Sequence, residues 1–479
     1  MKLRCLALCL FCAILWGLSP LAALAEEASE ETPQPPLPWQ FGGPAGKISN
    51  SFQTYFQRIS GLPTLQERLD FELEGTVSDT IWTAKLLPWA WVREPDAIGA
   101  LPRKTRAFFE LKEGWVDRVS TVWDLRVGNQ LISWGAADQI NPTDQWNPRD
   151  LYDPLNAYKL PMPTAKLNVH PPEYADFTLE VLATPFFRAS RLPIDLPESG
   201  TKDLSKDDSR WLLPMPTRVS TAAFSAPLEY KITEPTFPST WQAGARFQAL
   251  RLGGWDFSAS YFNGVEKIPR MTFTKAGNAA NPALPITLTL LPSFHRMQLI
   301  GIDGSGSVEP WEETFGLRFE GAAVLRDNSR AERAAAQFQP DLIKDDYLNF
   351  VVGVDHTVKK KVYGTVLYGN LMYVHYQRIS GREQVAGRML VEGLPNVDPW
   401  DHDLVLYLED RINPTWKVTN TLVGSFDNFD TVVSPAVHMQ IIDNLKASLG
   451  GDFFFGRKLG FFGQFYDNNR LNLSGSYSF

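Results

Sequence analysis

The chain of 479 residues carries 46 Lys and Arg against 54 Asp and Glu, and its three cysteines all fall within the first twelve residues. An acidic balance argues against a nucleic-acid partner, which needs a basic face to neutralise phosphates. Past the first 25 residues no stretch approaches the ~18 apolar residues that a spanning helix requires, so a helical membrane protein is excluded.

The N-terminus reads as a secretory signal over residues 1–25. Lys2 and Arg4 supply its positive end, Leu6 to Leu18 its apolar centre, and Ala23-Leu24-Ala25 its small-x-small cleavage site. Cys5, Cys9 and Cys12 leave with it, so the mature chain has no thiol, disulfide or thiolate metal ligand. Losing two bases and no acid turns 46 against 54 into 44 against 54. Residues 26–47 open with acids and then Pro33, Pro35, Pro36 and Pro38, the composition of an extended, solvated leader. From there Ile48, Phe52, Tyr55, Phe56 and Ile59 share one helical face, with Asn50 placed to cap and Gly61-Leu62-Pro63 to stop. The spacing predicts an amphipathic helical segment over 48–67, a possible plug. A first strand through Phe52 and Tyr55 is the alternative.

From residue 68 to 479 the dominant period is two. Trp123, Leu125 and Val127 oppose Asp124 and Arg126; Phe177, Leu179 and Val181 oppose Thr178 and Glu180. Residues 241–249 alternate Trp241, Ala243, Ala245 and Phe247 against Gln242, Gly244, Arg246 and Gln248. Gly253-Gly254 then turns into Trp255, Phe257, Ala259 and Tyr261, a long hairpin. Phe315, Leu317 and Phe319 oppose Arg318 and Glu320. Strands of about 9 to 11 residues suit a tilted membrane crossing. With Phe, Trp and Tyr at 12% of the chain, enough for two interfacial girdles, the pattern predicts an all-β fold: a transmembrane antiparallel β-barrel of about 16 strands, within 14 to 18.

The chain ends Leu471, Leu473, Gly475, Tyr477, Phe479, alternating with Asn472, Ser474, Ser476 and Ser478. Tyr477 and the terminal Phe479 resemble the insertion signal of barrels folded by the outer-membrane assembly machinery. That resemblance implies this machinery and outer-membrane lipid as partners, in a Gram-negative cell. Residues 362–374, 404–408 and 453–455 have little polarity on either face, so part of the lumen should be dry, filled by the N-terminal helix or by an apolar cargo.

Three tandem hexads follow the strand that contains Arg126: NPTDQW (141–146), NPRDLY (147–152) and DPLNAY (153–158). Each reads Asx-Pro-x-Asx-x-aromatic. Asx-Pro initiates a turn, the second Asx can accept from nearby backbone N–H groups, and the aromatic gives each turn something to bury. This chemistry suggests a constriction loop over 138–158. Asp138, Asn141, Asp144, Arg149, Asp150 and Asp153 would set its polarity, and Trp146, Tyr152 and Tyr158 would pack or stack on cargo. Its carboxylates could offer oxygen ligands to calcium, but no EF-hand spacing is present and no metal or cofactor is expected. A loop whose Asx and Pro residues only shape its own backbone is the plainer alternative.

The run VGNQLISWGAADQINPTDQWNPRD resembles a family of proteobacterial outer-membrane barrels of unknown function, in which a Gly-x-Gln…Trp-Gly strand end precedes an Asn-Pro-x-Asp loop. The likeness covers about residues 126–153, with Gln130, Trp134, Gly135, Asn141, Pro142 and Asp144 as its motif positions. It implies an outer-membrane barrel and a partnership with an inner-membrane exporter of hydrophobic or lipidic molecules.

Six scattered histidines match no hydrolase motif, and Asp355-His356, adjacent in one strand, must point to opposite faces. Asp401-His402-Asp403 reads as a solvated acidic loop sooner than a metal site. No catalytic residue is expected. The expectation is a monomeric or oligomeric porin-like channel or transporter for a small solute, hydrophobic or lipidic among the options. Its mixed lumen charges, Asp124, Arg126, Glu180, Arg246, Arg318 and Glu320, would leave ion selectivity weak. The alternative is a surface anchor or receptor that grips an extracellular glycan through aromatic loops.

Overall fold

The period-two stretches become β-strands in the computed structural model. It describes residues 40–57, 64–95, 106–137, 141–174, 176–191, 199–202, 228–231, 235–268, 270–276, 287–326, 346–362, 365–380, 400–426, 429–457 and 462–479. The signal segment and most of the leader lie outside them. Eighteen strands form the barrel: β1 (Gln40–Tyr55), β2 (Leu65–Ser78), β3 (Trp82–Pro95), β4 (Arg106–Val119), β5 (Trp123–Gln130), β6 (Met162–Val169), β7 (Phe177–Thr184), β8 (Gln242–Leu252) and β9 (Trp255–Val265) make one half. The other half is β10 (Arg296–Val308), β11 (Phe315–Arg326), β12 (Tyr347–Val362), β13 (Thr365–Ser380), β14 (Trp400–Arg411), β15 (Trp416–Ser425), β16 (Asp430–Ile442), β17 (Leu445–Phe455) and β18 (Arg470–Ser478). Each pairs antiparallel with its sequence neighbours, and the ring closes where β1 meets β18, from Lys47 opposite Ser478 to Tyr55 opposite Arg470. Closure removes the open edges that a flat sheet would expose.

The helix expected over 48–67 is corrected, because residues 48–55 are the second half of β1 and β2 begins at Leu65. Ile48 and Phe52 are four apart, a spacing that a helix and a period-two strand share. In the strand they stand on one face with Asn50, while Ser49, Ser51 and Gln53 take the other. Closure decides between the two, since β1 satisfies backbone groups of both β2 and β18 and a helix would satisfy neither. The barrel therefore begins at Gln40, inside the stretch read as leader, and no N-terminal helix over 48–55 can plug it.

Connections differ between the two ends. At one end are the tight turns 253–254 and 443–444; at the other are the long segments 131–161, 185–241 and 266–295. In membrane barrels short turns face the periplasm and long loops the exterior. Two of the long segments add a small four-stranded sheet (Ser199–Lys202, Leu228–Lys231, Arg270–Ala276, Thr287–Ser293).

The outer face is apolar. Leu69, Phe71, Leu86, Phe109, Val127, Phe247, Ile300, Ile302, Leu348, Leu371, Leu449 and Leu473 are all exposed, an arrangement suited to lipid and unfavourable in water. Arg118 lies between Trp82 and Trp123 near the short-turn end, an aromatic anchor of the interfacial kind. The terminal set points outward as its alternation predicts, with Leu471, Leu473, Tyr477 and Phe479 exposed and Arg470 fully buried.

Phe479 also completes the seam. Its N–H donates to the Gly46 carbonyl at 2.9 Å, the Gly46 N–H donates back at 2.8 Å, and its ring stacks near Tyr477 at 6.3 Å. A Cβ on Gly46 would overlap that ring. Gly46→Val should therefore lower the fraction of protein that migrates as the compact, heat-modifiable species on a gel. Unchanged migration would show that the seam tolerates displacement of Phe479.

Candidate functional site

The strand end at Gln130 begins the segment that turns inward. Gln130 is buried and its amide donates to the Thr164 carbonyl across β6 at 2.8 Å, so residue 131 leaves from a held position. Asn147, which opens the second hexad, then ties the segment's two arms together. Its Oδ1 accepts from the Ile132 N–H at 2.7 Å, and its amide donates to the carbonyls of Gln130 (3.1 Å) and Leu160 (2.9 Å). The hexads' Asx chemistry works in this local way at Asp150 and Asp153, which accept from the N–H groups two residues ahead, Tyr152 at 3.0 Å and Leu155 at 3.2 Å. Asp144 instead gathers cations, with Lys159 at 2.7 Å and Arg149 at 2.9 Å. Pro142 shapes the first turn, where the Gln145 amide donates to its carbonyl at 3.1 Å.

Two tryptophans fasten the segment to the wall. Trp134 and Trp146, each 2% exposed, pack with Ile132 on Leu182, Phe262, Leu299, Ala322 and Val324 of β7, β9, β10 and β11. Their indole N–H groups are also used: Trp146 donates to the Thr164 hydroxyl at 2.9 Å and Trp134 to the Glu180 carboxylate. An amphipathic indole held at both ends orients a segment more tightly than packing alone.

Beyond the tryptophans the segment crosses the lumen. On one side Glu320 of β11, 1% exposed, accepts from the Thr143 N–H at 2.6 Å, the Thr143 hydroxyl at 2.8 Å and the Ala137 N–H at 3.1 Å. Gly135 makes that approach possible. Its φ is +90°, and a Cβ there would overlap the Glu320 carboxylate and the Asn141 side chain. On the other side Asp153 accepts from Arg470 of β18 at 2.7 Å. A third contact joins the tip to β3 and β4. Tyr158 meets Trp89 edge to face at 5.3 Å, Arg93 lies 3.7 Å over the Tyr152 ring, and Arg191 bridges from Asp150 (3.2 Å) to the face of Phe108 (3.8 Å). Burial, then Asp150, holds the Tyr158 hydroxyl above its usual range, so it stays a donor to Asp150.

The wall charges read from alternation all have partners of opposite or complementary character. Arg126 pairs with Asp117 at 2.6 Å and covers Trp115, Arg246 pairs with Asp303 at 3.2 Å, and Arg318 with Asp355 at 2.8 Å. Glu180 takes Trp134 and Lys166, and Asp124, near the short-turn end, sits 3.7 Å from His170. His356, across the strand from Asp355's face, stacks on Phe315 instead. Asp138 lies outside the described residues. Sequence reasoning missed Asn147, Lys159, Arg191 and Arg470; of these Asn147 left a signal as the leading Asx of the second hexad, and Arg470 through the terminal alternation, which puts it on the inner face with Asn472 and Ser474.

The apolar interior expected near 362–374, 404–408 and 453–455 is covered by chain. Val351, Met372, Val374, Tyr376 and Val405 cluster with Ala137 of the inward segment, and Val432 and Phe454 with Phe462 and Phe465 of the 456–469 connection and with Leu155. The stretch Asp401-His402-Asp403 is strand, with Asp403 buried, and no acidic loop.

One lysine beside this assembly is pH-responsive. Lys267, just past β9, donates to Gln242 with Phe187 and Phe262 around it, and burial pushes its pKa down to about 7. The folded state sheds this proton near pH 7, whereas an unfolded lysine keeps it to about 10.4. The burial cost is thus fully present below pH 7 and disappears as pH rises toward 10. Lys267→Met should raise the thermal midpoint by a few degrees at pH 6, with a gain that shrinks by pH 9.5; a gain independent of pH would assign it to packing.

No family model matches the chain, and no curated protein matches it in sequence. Among solved structures, OccK8 (OprE) of Pseudomonas aeruginosa aligns with 9% identity and a TM-score of 0.48, over 92% of this chain and 98% of its own. OccAB1 of Acinetobacter baumannii aligns with 6% identity and a TM-score of 0.47, over 92% and 95%. Wzi of Escherichia coli, an outer-membrane protein involved in group 1 capsule assembly and described as a carbohydrate-binding β-barrel, aligns with 11% identity and a TM-score of 0.41, over 90% and 84%.

Proposed function

We propose that this outer-membrane barrel is a channel for small, uncharged polar solutes, narrowed by the 131–161 segment. The observation that carries the reading is the pair of attachments on opposite sides of the lumen, Glu320 on β11 and Asp153 to Arg470 on β18. A segment tied at both sides crosses the lumen and sets its width. Compensated wall charges favour solutes without net charge, since ion selection needs a ring of one sign. The apolar inner patches lie under polypeptide, which weighs against an apolar cargo held in the lumen. The same burial weighs against the glycan anchor: Trp134 and Trp146 face inward and present no stacking surface outside. The proposal includes no bond-making step.

Planar-bilayer conductance and liposome swelling test it. Conductance should increase when residues 138–158 are deleted. Swelling should slow with solute size and differ little between cations and anions of equal size. A barrel that conducts neither before nor after the deletion would sink the channel reading and favour the anchor.

A further inference from the structure

The outer face of β13 and β14 places two histidines side by side. His375 is directly opposite His402 across the ladder. Leu371 and Tyr373 of β13 are exposed while Met372, Val374 and Tyr376 face inward, so His375 shares the outer face with Tyr373. On β14, Asp403 and Val405 are buried toward the lumen, which leaves His402 outside as well. The pair sits at the long-loop rim: β14 begins at Trp400, and Asp403 pairs with Ser425, the last residue of β15.

The two Nδ1 atoms are 3.3 Å apart, the ring centres 4.5 Å, and the rings are tilted by 34°. The Tyr373 hydroxyl lies 2.6 Å from the same His402 Nδ1. Two imidazole nitrogens bound at ~2.0–2.1 Å to one tetrahedral cation stand about 3.3–3.4 Å apart, the separation found here. We propose that His375 and His402 form a binding site for a divalent transition-metal ion of the zinc, nickel or copper class, with the Tyr373 oxygen beside it. Binding requires the two rings, now tilted by 34°, to turn until both Nδ1 lone pairs converge on one ion. Two neutral imidazoles that bind through Nδ1 each keep their one proton on Nε2, so binding releases no proton. Imidazole ligands select these metals over calcium or magnesium, which take oxygen. Among the described residues no group of three or more His, Cys, Asp or Glu side chains gathers around an ion site, so water completes the shell and affinity is moderate. The ion would clip β13 to β14 where both leave the barrel wall.

Titration of the full-length protein in detergent with copper(II), followed by calorimetry and by the nitrogen hyperfine pattern in electron paramagnetic resonance, tests this. One equivalent should bind with two equatorial nitrogens. His375→Gln and His402→Gln, which keep polarity and size on the outer face, should each weaken binding at least about tenfold. Heat-modifiable migration confirms that each variant is folded; if one is not, the other decides. Saturable binding that survives in a folded variant, or no saturable binding by the wild type, would overturn the site.

Discussion

Glu320→Ala is expected to raise single-channel conductance and to expose the amides of residues 131–161 to hydrogen exchange. Glu320 accepts three hydrogen bonds from the inward segment, two from N–H groups and one from a hydroxyl, at 2.6 to 3.1 Å. Alanine leaves those donors facing a dry wall, and each unsatisfied donor costs about 1–3 kcal/mol. A loss of about 3 kcal/mol in seating multiplies the unseated population by roughly 100. Glu320→Gln should fall between, because one amide oxygen still accepts from Thr143 while its NH2 turns a donor toward the Ala137 N–H. The barrel itself should stay folded in both, since the ladder hydrogen bonds of β11 do not involve the side chain. Conductance and exchange equal to wild type would remove Glu320 as the tether.

Arg470 should matter to folding where Glu320 matters to gating. Its guanidinium is fully buried, with Nε 2.6 Å from Asp452 and Nη1 2.7 Å from Asp153 and 3.4 Å from Gln53. Asp452 is drawn further into this network by Ser434 and Asn472, both at 2.8 Å. Removing the cation leaves a buried carboxylate unpaired, a change that costs roughly 3–5 kcal/mol. The loss falls on β18, the strand that must close against β1. Arg470→Ala is therefore expected to reduce the heat-modifiable fraction sharply. Asp153→Asn separates the two roles: the wall pair of Arg470 with Asp452 remains, only the loop attachment weakens, and conductance should rise at unchanged folded yield. An Arg470→Ala protein that folds to wild-type yield, or an Asp153→Asn protein that does not fold, would contradict this division.

The two attachments also explain why the aromatics of the hexads point inward. A segment that only shaped its own backbone would need Asn147, Asp150 and Asp153 as local acceptors and nothing from the wall. Here Asp153 serves both, accepting from Leu155 with one oxygen and from Arg470 with the other.

The sequence alone determined the barrel, the outward set at Leu471, Leu473, Tyr477 and Phe479, the inner placement of Arg126, Arg246 and Arg318, and the segment after Gln130 as the unusual part. These are consequences of period two and of turn chemistry, which operate over a few neighbouring residues. Only the tertiary structure decided that Ile48–Tyr55 is strand, because Ile48 and Phe52 satisfy both periods and the choice rests on pairing with a strand more than four hundred residues later in the chain. Only it showed what fills the apolar interior. The covering chain is the hexad segment and the 456–469 connection, held by bonds such as Thr143 to Glu320, 177 residues apart, and Asp153 to Arg470, 317 apart. Contacts at such separations leave no periodic trace in either partner, since each residue needs only to be the right type at one place on a closed wall.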